Sequence, residues 1–334
     1  MSWPAPAAAD YRAAAEAIAG AGELLLVCHL NPDGDALGSA LALGLALRRR
    51  GRPVAVSFSE PFVVPDALAH LPGQELLVAP AAAAQRPDVL VTFDTGSVDR
   101  LGDLRNRVAA AGTVVVIDHH PSNTGYGHLN LVDPSAAATA VIVAGLLDSI
   151  GAGIDHDIAA CLYTGLSTDT GSFRYAATTP DVHRLAARLL ATGIRHDLIA
   201  RELYDSHPFA WLPLVAAVLA RSALEPESVG RLGLVWTYAT LADLGSLGME
   251  HVEGVIDVVR TAREAEVAVV CKELPDGAWA VSMRSKGRID VGAVCVGLGG
   301  GGHRFASGFT GVGSLDVVVK TLREALDDAP HLPD

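Results

Sequence analysis

An apolar run of strand length, Leu24-Leu25-Leu26-Val27-Cys28, ends abruptly in His29-Leu30-Asn31-Pro32-Asp33-Gly34-Asp35. A short apolar run bounded by turn formers reads as a buried parallel strand. Asn31-Pro32-Asp33-Gly34 stops it. Leu and Ala then recur at helical spacing from Ala36 to Arg50, and Gly51 closes that helix. One imidazole and two carboxylates therefore stand at the carboxyl end of a strand, where open α/β sheets place their sites.

Two later strands end the same way. Asp88–Phe93 runs into Asp94-Thr95-Gly96, and Thr113–Ile117 runs into Asp118-His119-His120-Pro121. Pro53–Phe58 is a further strand, and 59–87 is loop-rich with a short strand at Leu76–Val78. Helical spacing appears around Tyr11–Ala19, over Leu101–Ala111, Ala136–Gly151 and Ile158–Thr168, and again over Pro180–Thr192 and His196–Leu203. The Ile158–Thr168 helix runs into Asp169-Thr170-Gly171. Strands alternating with helices predict an α/β fold with a doubly wound parallel sheet.

Pro208, Pro213 and Pro226 mark a change of composition over Asp205–Glu227, where a domain boundary is expected. Beyond it come a strand at Leu232–Ala239, a helix at Val252–Ala262, and a hairpin of Glu266–Leu274 with Ala278–Arg284 across Pro275-Asp276-Gly277. A helix at Val291–Leu298 leads into a glycine loop, Gly299 to Gly302, before His303. A strand near Phe309 and a helix at Leu315–Leu326 complete a smaller α/β domain. The glycines lack GxGxxG spacing after a strand, so no dinucleotide fingerprint is present.

The 334 residues carry a net charge of −13, with 50% apolar content. That argues against wrapping long nucleic acid, which needs clustered Lys and Arg. It permits a short phosphorylated substrate if bound cations supply local positive charge. Cys28, Cys161, Cys271 and Cys295 are scattered without CxxC spacing, so neither a zinc ribbon nor a disulfide framework is indicated. No leader pattern and no uninterrupted apolar span is evident. The expectation is a reduced, cytoplasmic protein with no membrane partner.

Taken singly, Asp33 or Asp35 reads as a helix cap and Asp94 as a turn former. His119 and His120 read as a hydrogen-bonded pair, and Asp169 as a loop residue. Taken together, that account needs four separate coincidences at strand and helix ends. Hard divalent cations take carboxylate oxygens, and imidazole suits Mn, Fe, Co or Zn. His29, Asp33, Asp35, Asp94, His119 and Asp169 suffice for two octahedral cations with Asp94 between them, the arrangement used to clamp a phosphoryl group.

The spacing His29-x-x-x-Asp33-x-Asp35, Asp94 closing a strand, Asp118-His119-His120, and Asp169 in Thr168-Asp169-Thr170-Gly171 resemble the four motifs of the DHH phosphoesterases. Gly300-Gly301-Gly302-His303-Arg304-Phe305-Ala306-Ser307-Gly308 resembles the GGGHxxAxG of the associated DHHA1 domain. The resemblance covers about Leu24 to Phe309. It is nearest to the two-domain oligoribonucleases (nanoRNases) that are also 3′-phosphoadenosine 5′-phosphate (pAp) phosphatases, some of which cleave cyclic di-AMP.

The resemblance implies a DHH catalytic domain at 1–204, a helical linker at 205–229 and a DHHA1 substrate-binding domain at 230–334, with a catalytic cleft between the domains. It implies two Mn²⁺ per chain, replaceable by Co²⁺ or Mg²⁺: His29, Asp33 and Asp94 for one, Asp35, Asp94, His119 and Asp169 for the other. His120 would face the scissile phosphate, and Asp118 would orient a neighbouring His. Arg284, Ser285, Gly300, Gly301, Gly302 and His303 would bind the far end of the substrate. Expected substrates are pAp, dinucleotides such as pApA (nanoRNA) and cyclic di-AMP, and a homodimer is implied. The rivals are a manganese-dependent inorganic pyrophosphatase or exopolyphosphatase, and a non-catalytic nucleotide-binding sensor.

Overall fold

The computed structural model describes residues 3–245, 247–252 and 254–333. The chain divides into two compact units, Met1–Ser206 and His207–Asp334.

The first unit is built on five parallel strands: β1 (Leu24–Cys28), β2 (Ala55–Ser57), β3 (Val89–Phe93), β4 (Thr113–Asp118) and β5 (Leu129–Val132). Their order is β2-β1-β3-β4-β5. Every β1 and β3 residue is buried, because both faces of the sheet are covered. Leu24, Leu26 and Cys28 point into one core and Leu25 and Val27 into the other, as strand alternation requires. The helices are α1 (Ala8–Gly20), α2 (Gly34–Arg49), α3 (Asn106–Ala110), α4 (Thr139–Ser149), α5 (His156–Asp169), α6 (Pro180–Leu190) and α7 (His196–Tyr204). The doubly wound parallel sheet is the expected one. Its order makes β1, β3 and β4 neighbours, so three polar strand ends stand side by side, about 4.8 Å apart per strand.

Several local expectations change. Helix α2 begins at Gly34, two residues early, with Asp33 as its cap. Leu101–Ala111 is not one helix: a 3₁₀ segment, Val98–Leu104, breaks at Gly102 (φ 54°) before α3. A Cβ on Gly102 would lie 2.3 Å from Ser59 Oγ. Leu76–Val78 is not a strand; a 3₁₀ turn at Gln74–Leu76 is followed by a single bridge from Leu77 to Val56.

Glycines bring α2 and α5 into backbone contact. A Cβ on Gly38 would lie 2.4 Å from the Cys161 carbonyl oxygen, and one on Gly165 2.7 Å from Asp35 Oδ1. This approach carries Asp35, in the first turn of α2, toward Asp169, in the last turn of α5.

The second unit has a six-stranded sheet in the order β10-β11-β9-β8-β7-β6. Its strands are β6 (Ala223–Glu225), β7 (Leu234–Ala239), β8 (Val267–Glu273), β9 (Trp279–Ser285), β10 (Gly301–His303) and β11 (Ala306–Gly311). The glycine loop expected before His303 is thus in part an edge strand, paired antiparallel with β11. The helix expected at Val252–Ala262 is shorter, Val255–Val259. One face of the sheet buries Val269, Cys271, Val281 and Met283 with Val291, Cys295, Val318 and Leu322. On the other, α8 (Trp211–Leu219) packs Leu214 and Val218 with Val255, Ile256 and Val259 against Val235, Ala268 and Val270. That cover thins beyond β8, and Ser282 and Arg284 of β9 are only half-buried.

Gly38→Ala is expected to lower stability by about 1–3 kcal/mol through overpacking, despite alanine's better helix propensity. Gly20→Ala, where a Cβ meets nothing within 4 Å, should not. Paired thermal denaturation curves check the contrast.

Candidate metal centre

Each side chain of the centre is aimed by a specific backbone feature. His29 follows β1; its Nδ1 lies 2.8 Å from the Leu30 carbonyl oxygen, so Nδ1–H donates there and Nε2, once its proton is displaced, is free for a cation. That Nε2 is 3.5 Å from Asp94 Oδ2 and 3.8 Å from Asp33 Oδ2. Asp33 accepts the N–H groups of Asp35 and Ala36 on Oδ1 at 3.0 and 2.9 Å, which leaves Oδ2 toward His29. Its cap role and its place in the cluster therefore use different oxygens.

Asp94 turns out of β3 with φ 55°, a left-handed conformation that Asp tolerates better than most residues and that concentrates at functional sites. Its Oδ1 accepts the Thr139 hydroxyl at 3.0 Å. His119 follows β4, and its Nδ1 lies 3.1 Å from the Ala136 carbonyl oxygen. His119 Nε2 lies 3.0 Å from Asp169 Oδ2, 3.3 Å from Asp94 Oδ1 and 3.8 Å from Asp35 Oδ2.

Asp35 is fully buried. Its two oxygens accept the Thr139 and Ala140 N–H groups at 2.6 and 2.9 Å. These are the first donors of α4, whose own cap position, Ala138, supplies no side chain. A buried carboxylate at a helix N-terminus satisfies those donors and is favoured by the helix dipole. Thr139 serves both carboxylates, its N–H donating to Asp35 and its hydroxyl to Asp94; it opens α4, three residues after the helix start expected at Ala136.

Among the described residues, the ligand atoms of His29, Asp33 and Asp94 lie within 4.8 Å of one another, and so do those of Asp35, Asp94 and His119; these are the two ligand sets of the candidate centre. Asp94 belongs to both. Asp94, Asp118 and His120 also group together, but there His120 Nδ1 is hydrogen-bonded to Asp118 Oδ1 at 2.7 Å. Asp118 is fully buried, and its Oδ2 accepts Asn123 Nδ2–H at 2.5 Å. Both histidines of the ligand sets direct Nε2 at carboxylates with Nδ1 engaged by a carbonyl, the usual preparation of an imidazole for a cation. The donor set of imidazole nitrogen and carboxylate oxygen fits Mn, Fe, Co or Zn.

Electrostatics point the same way. Burial opposes the charged form of His29, but Asp33 and Asp94 outweigh it and hold the pKa at about 10. His119 also stands well above its ordinary value, because Asp169 and Asp94 overcome burial. Burial first, then the Asp169 and Asp94 carboxylates, push Asp35 well up. Burial likewise raises Asp169 to about 6. Asp94 stays well below the carboxylate range, since His120, His119 and His29 outweigh its burial. Protons here occupy a place suited to cations.

The second-unit residues fall into two groups. His303 pairs with Ala306, and Ala306 with Arg284, so the three form one row on the half-covered face. Gly301, Gly308 and Ser282 form the adjoining row on that face. Strand pairing itself demands Gly300 and Gly302, whose Cβ atoms would lie 2.1 Å from Gly308 O and 2.8 Å from Ala306 O; a Cβ on Gly301 meets nothing within 4 Å. Arg284 Nε is buried without a hydrogen-bond partner among the described residues. Ser285 faces the other way: its hydroxyl donates to Glu266 Oε1 at 2.7 Å and accepts from Gly287 N at 3.1 Å, and the residue is 3% exposed.

Residues 23–166 match the DHH family, N-terminal domain, and residues 240–328 match the DHHA1 domain. The bifunctional oligoribonuclease and PAP phosphatase NrnA of Thermus thermophilus is 34% identical over 316 residues, 93% of this chain and 92% of the relative. The chain belongs to the DHH/DHHA1 phosphoesterase family. As a member of it, the protein is a metal-dependent hydrolase. A probable NrnA of Streptococcus mutans is 28% identical over 84% of this chain and 86% of its own length. Among solved structures, an exopolyphosphatase-related protein of Bacteroides fragilis matches with a TM-score of 0.86 at 25% identity, over 96% of each chain. Among the described residues, no helix is long and apolar enough to cross a membrane.

The raised pKa values of this DHH centre set a pH dependence. In metal-stripped protein the His29 contribution to stability is complete below its unfolded pKa, about 6.5, and is lost as pH rises through its folded value of about 10. Asp169, raised to about 6, loses its contribution in the same direction at lower pH. A cation must displace these protons and so binds more tightly as pH rises. The gap in Tm between metal-loaded and metal-stripped protein is therefore expected to widen from about pH 6 to about pH 9. A constant or narrowing gap in thermal shift would contradict this.

Proposed function

We propose that this DHH/DHHA1 protein hydrolyses short nucleotides: pApA and similar dinucleotides to mononucleotides, and pAp to AMP, with cyclic di-AMP as a further candidate. The observation that carries the reading is the carboxylate of Asp94, common to two ligand sets. The name of the Thermus thermophilus relative, which spans nearly the whole chain, supports the substrate class.

In this reading His29, Asp33 and Asp94 hold one cation, and Asp35, Asp94, His119 and Asp169 the other. Two Mn²⁺ are preferred, with Co²⁺ or Mg²⁺ as substitutes. When bound, the pair supplies Lewis acidity for the phosphoryl oxygens and an acidified water. His120, whose Nδ1–H is donated to Asp118, acts through Nε2. Asp94 and Asp118 outweigh burial and raise its pKa, and in this reading it serves as the proton donor. As the water oxygen forms its bond to phosphorus, the bond to the nucleoside oxygen breaks. That oxygen takes the Nε2 proton, and the proton lost by water passes to solvent.

Arg284, His303 and the Gly300–Gly302 segment take the remote end of the substrate. The orphaned Arg284 Nε and the open space at Gly301 are what a phosphate approaching the backbone would use. Ser285 contributes by fixing the turn after Arg284 rather than by touching substrate. The acidic chain, at −13, disfavours long polymer. A cytoplasmic location and a homodimer belong to the same proposal.

The Bacteroides fragilis likeness supports a second reading, exopolyphosphatase. A Mn²⁺ turnover panel separates the two: pAp and pApA are expected to be cut fastest, ahead of cyclic di-AMP, pyrophosphate, polyphosphate and RNA tens of nucleotides long. Faster turnover of polyphosphate or pyrophosphate would replace the proposal, and equal turnover of long RNA would remove the length preference. Asp94→Ala should abolish turnover and metal retention together, as measured by elemental analysis.

A further inference from the structure

His120 has a choice of carboxylates. Its Nδ1 lies 2.7 Å from Asp118 Oδ1 and 3.5 Å from Asp94 Oδ1. The two differ in consequence, because Asp94 is shared by both ligand sets and Asp118 belongs to neither. A ring drawn to Asp94 would compete for that shared carboxylate and would point its other nitrogen elsewhere.

Asn123 biases the choice. Its Nδ2 donates to Asp118 Oδ2 at 2.5 Å, so one oxygen is held by the amide while the other takes the imidazole. Asn123 is itself fixed from several directions. Nδ2 also donates to Thr95 O at 3.3 Å, and Oδ1 accepts from Gly125 N at 2.8 Å. Its main-chain N–H donates to His120 O at 3.1 Å, and its carbonyl accepts Trp3 Nε1–H at 3.3 Å. Thr95 O accepts in addition the Tyr126 hydroxyl at 3.1 Å. Asn123 is 3% exposed, so water does not readily replace a lost donor, and a buried acceptor left unpaired is costly.

We propose that Asn123 is a positioning residue for departure of the leaving group: it clamps Asp118, which commits His120 to Asp118 instead of Asp94 and so sets where His120 Nε2 meets the leaving oxygen. The assignment rests on the reading of His120 given under the proposed function. It predicts that Asn123 matters only where the leaving oxygen needs a proton.

The test uses two substrates that share an AMP half: pApA, which expels a ribose alkoxide, and the p-nitrophenyl ester of AMP, which expels p-nitrophenolate without a proton. Asn123→Asp keeps the shape of the side chain and puts a carboxylate oxygen, which repels Asp118, where the amide donor stood. With Mn²⁺-loaded full-length protein, kcat on pApA is expected to fall about 100-fold, and on the p-nitrophenyl ester to stay within about threefold of wild type. KM and bound Mn²⁺ should not change. Equal losses on both substrates, or none on pApA, would overturn the assignment.

His120→Ala, run alongside, separates the two levels of the argument. If it loses equally on both substrates, the reading of His120 fails. If it shows the split and Asn123→Asp does not, only the role of Asn123 fails. A readout independent of turnover is the His120 Nδ1–H proton resonance of metal-free protein. It should lie downfield in the wild type and move upfield in Asn123→Asp; an unmoved resonance counts against the clamp.

Discussion

Asp33, Asp35 and Asp94 meet in the two ligand sets of the DHH centre, with Asp169 beside them at His119, and their mutual repulsion is the constraint on which the first unit depends. Asp35 has no exposed surface and Asp94 is 4% exposed. Burying ionised groups so close together is unfavourable unless each is compensated. The fold compensates locally before any cation arrives. Asp35 takes two N–H groups from the start of α4, Asp94 takes the Thr139 hydroxyl, and Asp33 takes two N–H groups of its own helix. What these donors leave over is proton affinity, seen in the raised pKa values of His29, His119, Asp35 and Asp169.

Geometry follows from the same constraint. The carboxylates can share a site only if elements distant in sequence come very close. Parallel pairing brings the ends of β1, β3 and β4 together. The glycine contact of α2 with α5 removes the side-chain layer that normally separates packed helices by 8–10 Å. Gly165 illustrates the tightness, since its missing Cβ is space that the Asp35 carboxylate needs. The small residues of α2 and α5 thus serve the chemistry of the first unit as well as its packing.

The three polar strand ends were legible because apolar runs of five or six residues stop in Asp or His three times over. The doubly wound sheet followed from the same alternation. The edge strands β5 and β6 were not legible: they are four and three residues long and only partly buried, so neither length nor alternation marks them. The break at Gly102 was hidden because Leu101 and Leu104 keep helical spacing on either side of it. Gly301–His303 reads as loop by composition, yet β11 pairs with it. Thr139 and Asn123 carried no signal of their own, since a Thr opening a helix and an Asn in a turn are commonplace. Their roles come from long-range partners, 104 residues away for the Thr139 N–H. Only the nearness of Asn123 to Asp118, five positions on, hinted at a link.

Chain and phosphorylated substrate are both anionic, and under the proposed function this bears on what the second unit would contribute. A protein at −13 does not draw in a phosphate by its overall field. Attraction has to be local, from cations at the shared carboxylate and from isolated donors elsewhere. The half-covered sheet face of the DHHA1 unit suits that need. Its central positions, Ser282, Ala306, Gly301 and Gly308, are small or bare, and its charge sits in single residues such as Arg284. A few discrete contacts favour a ligand with few phosphates, because each added phosphate brings repulsion from the acidic surface without a further basic partner. On this argument preference for short substrates needs no steric barrier. It would follow if the contacts come from a few points, such as Arg284 and the cations held at the shared carboxylate.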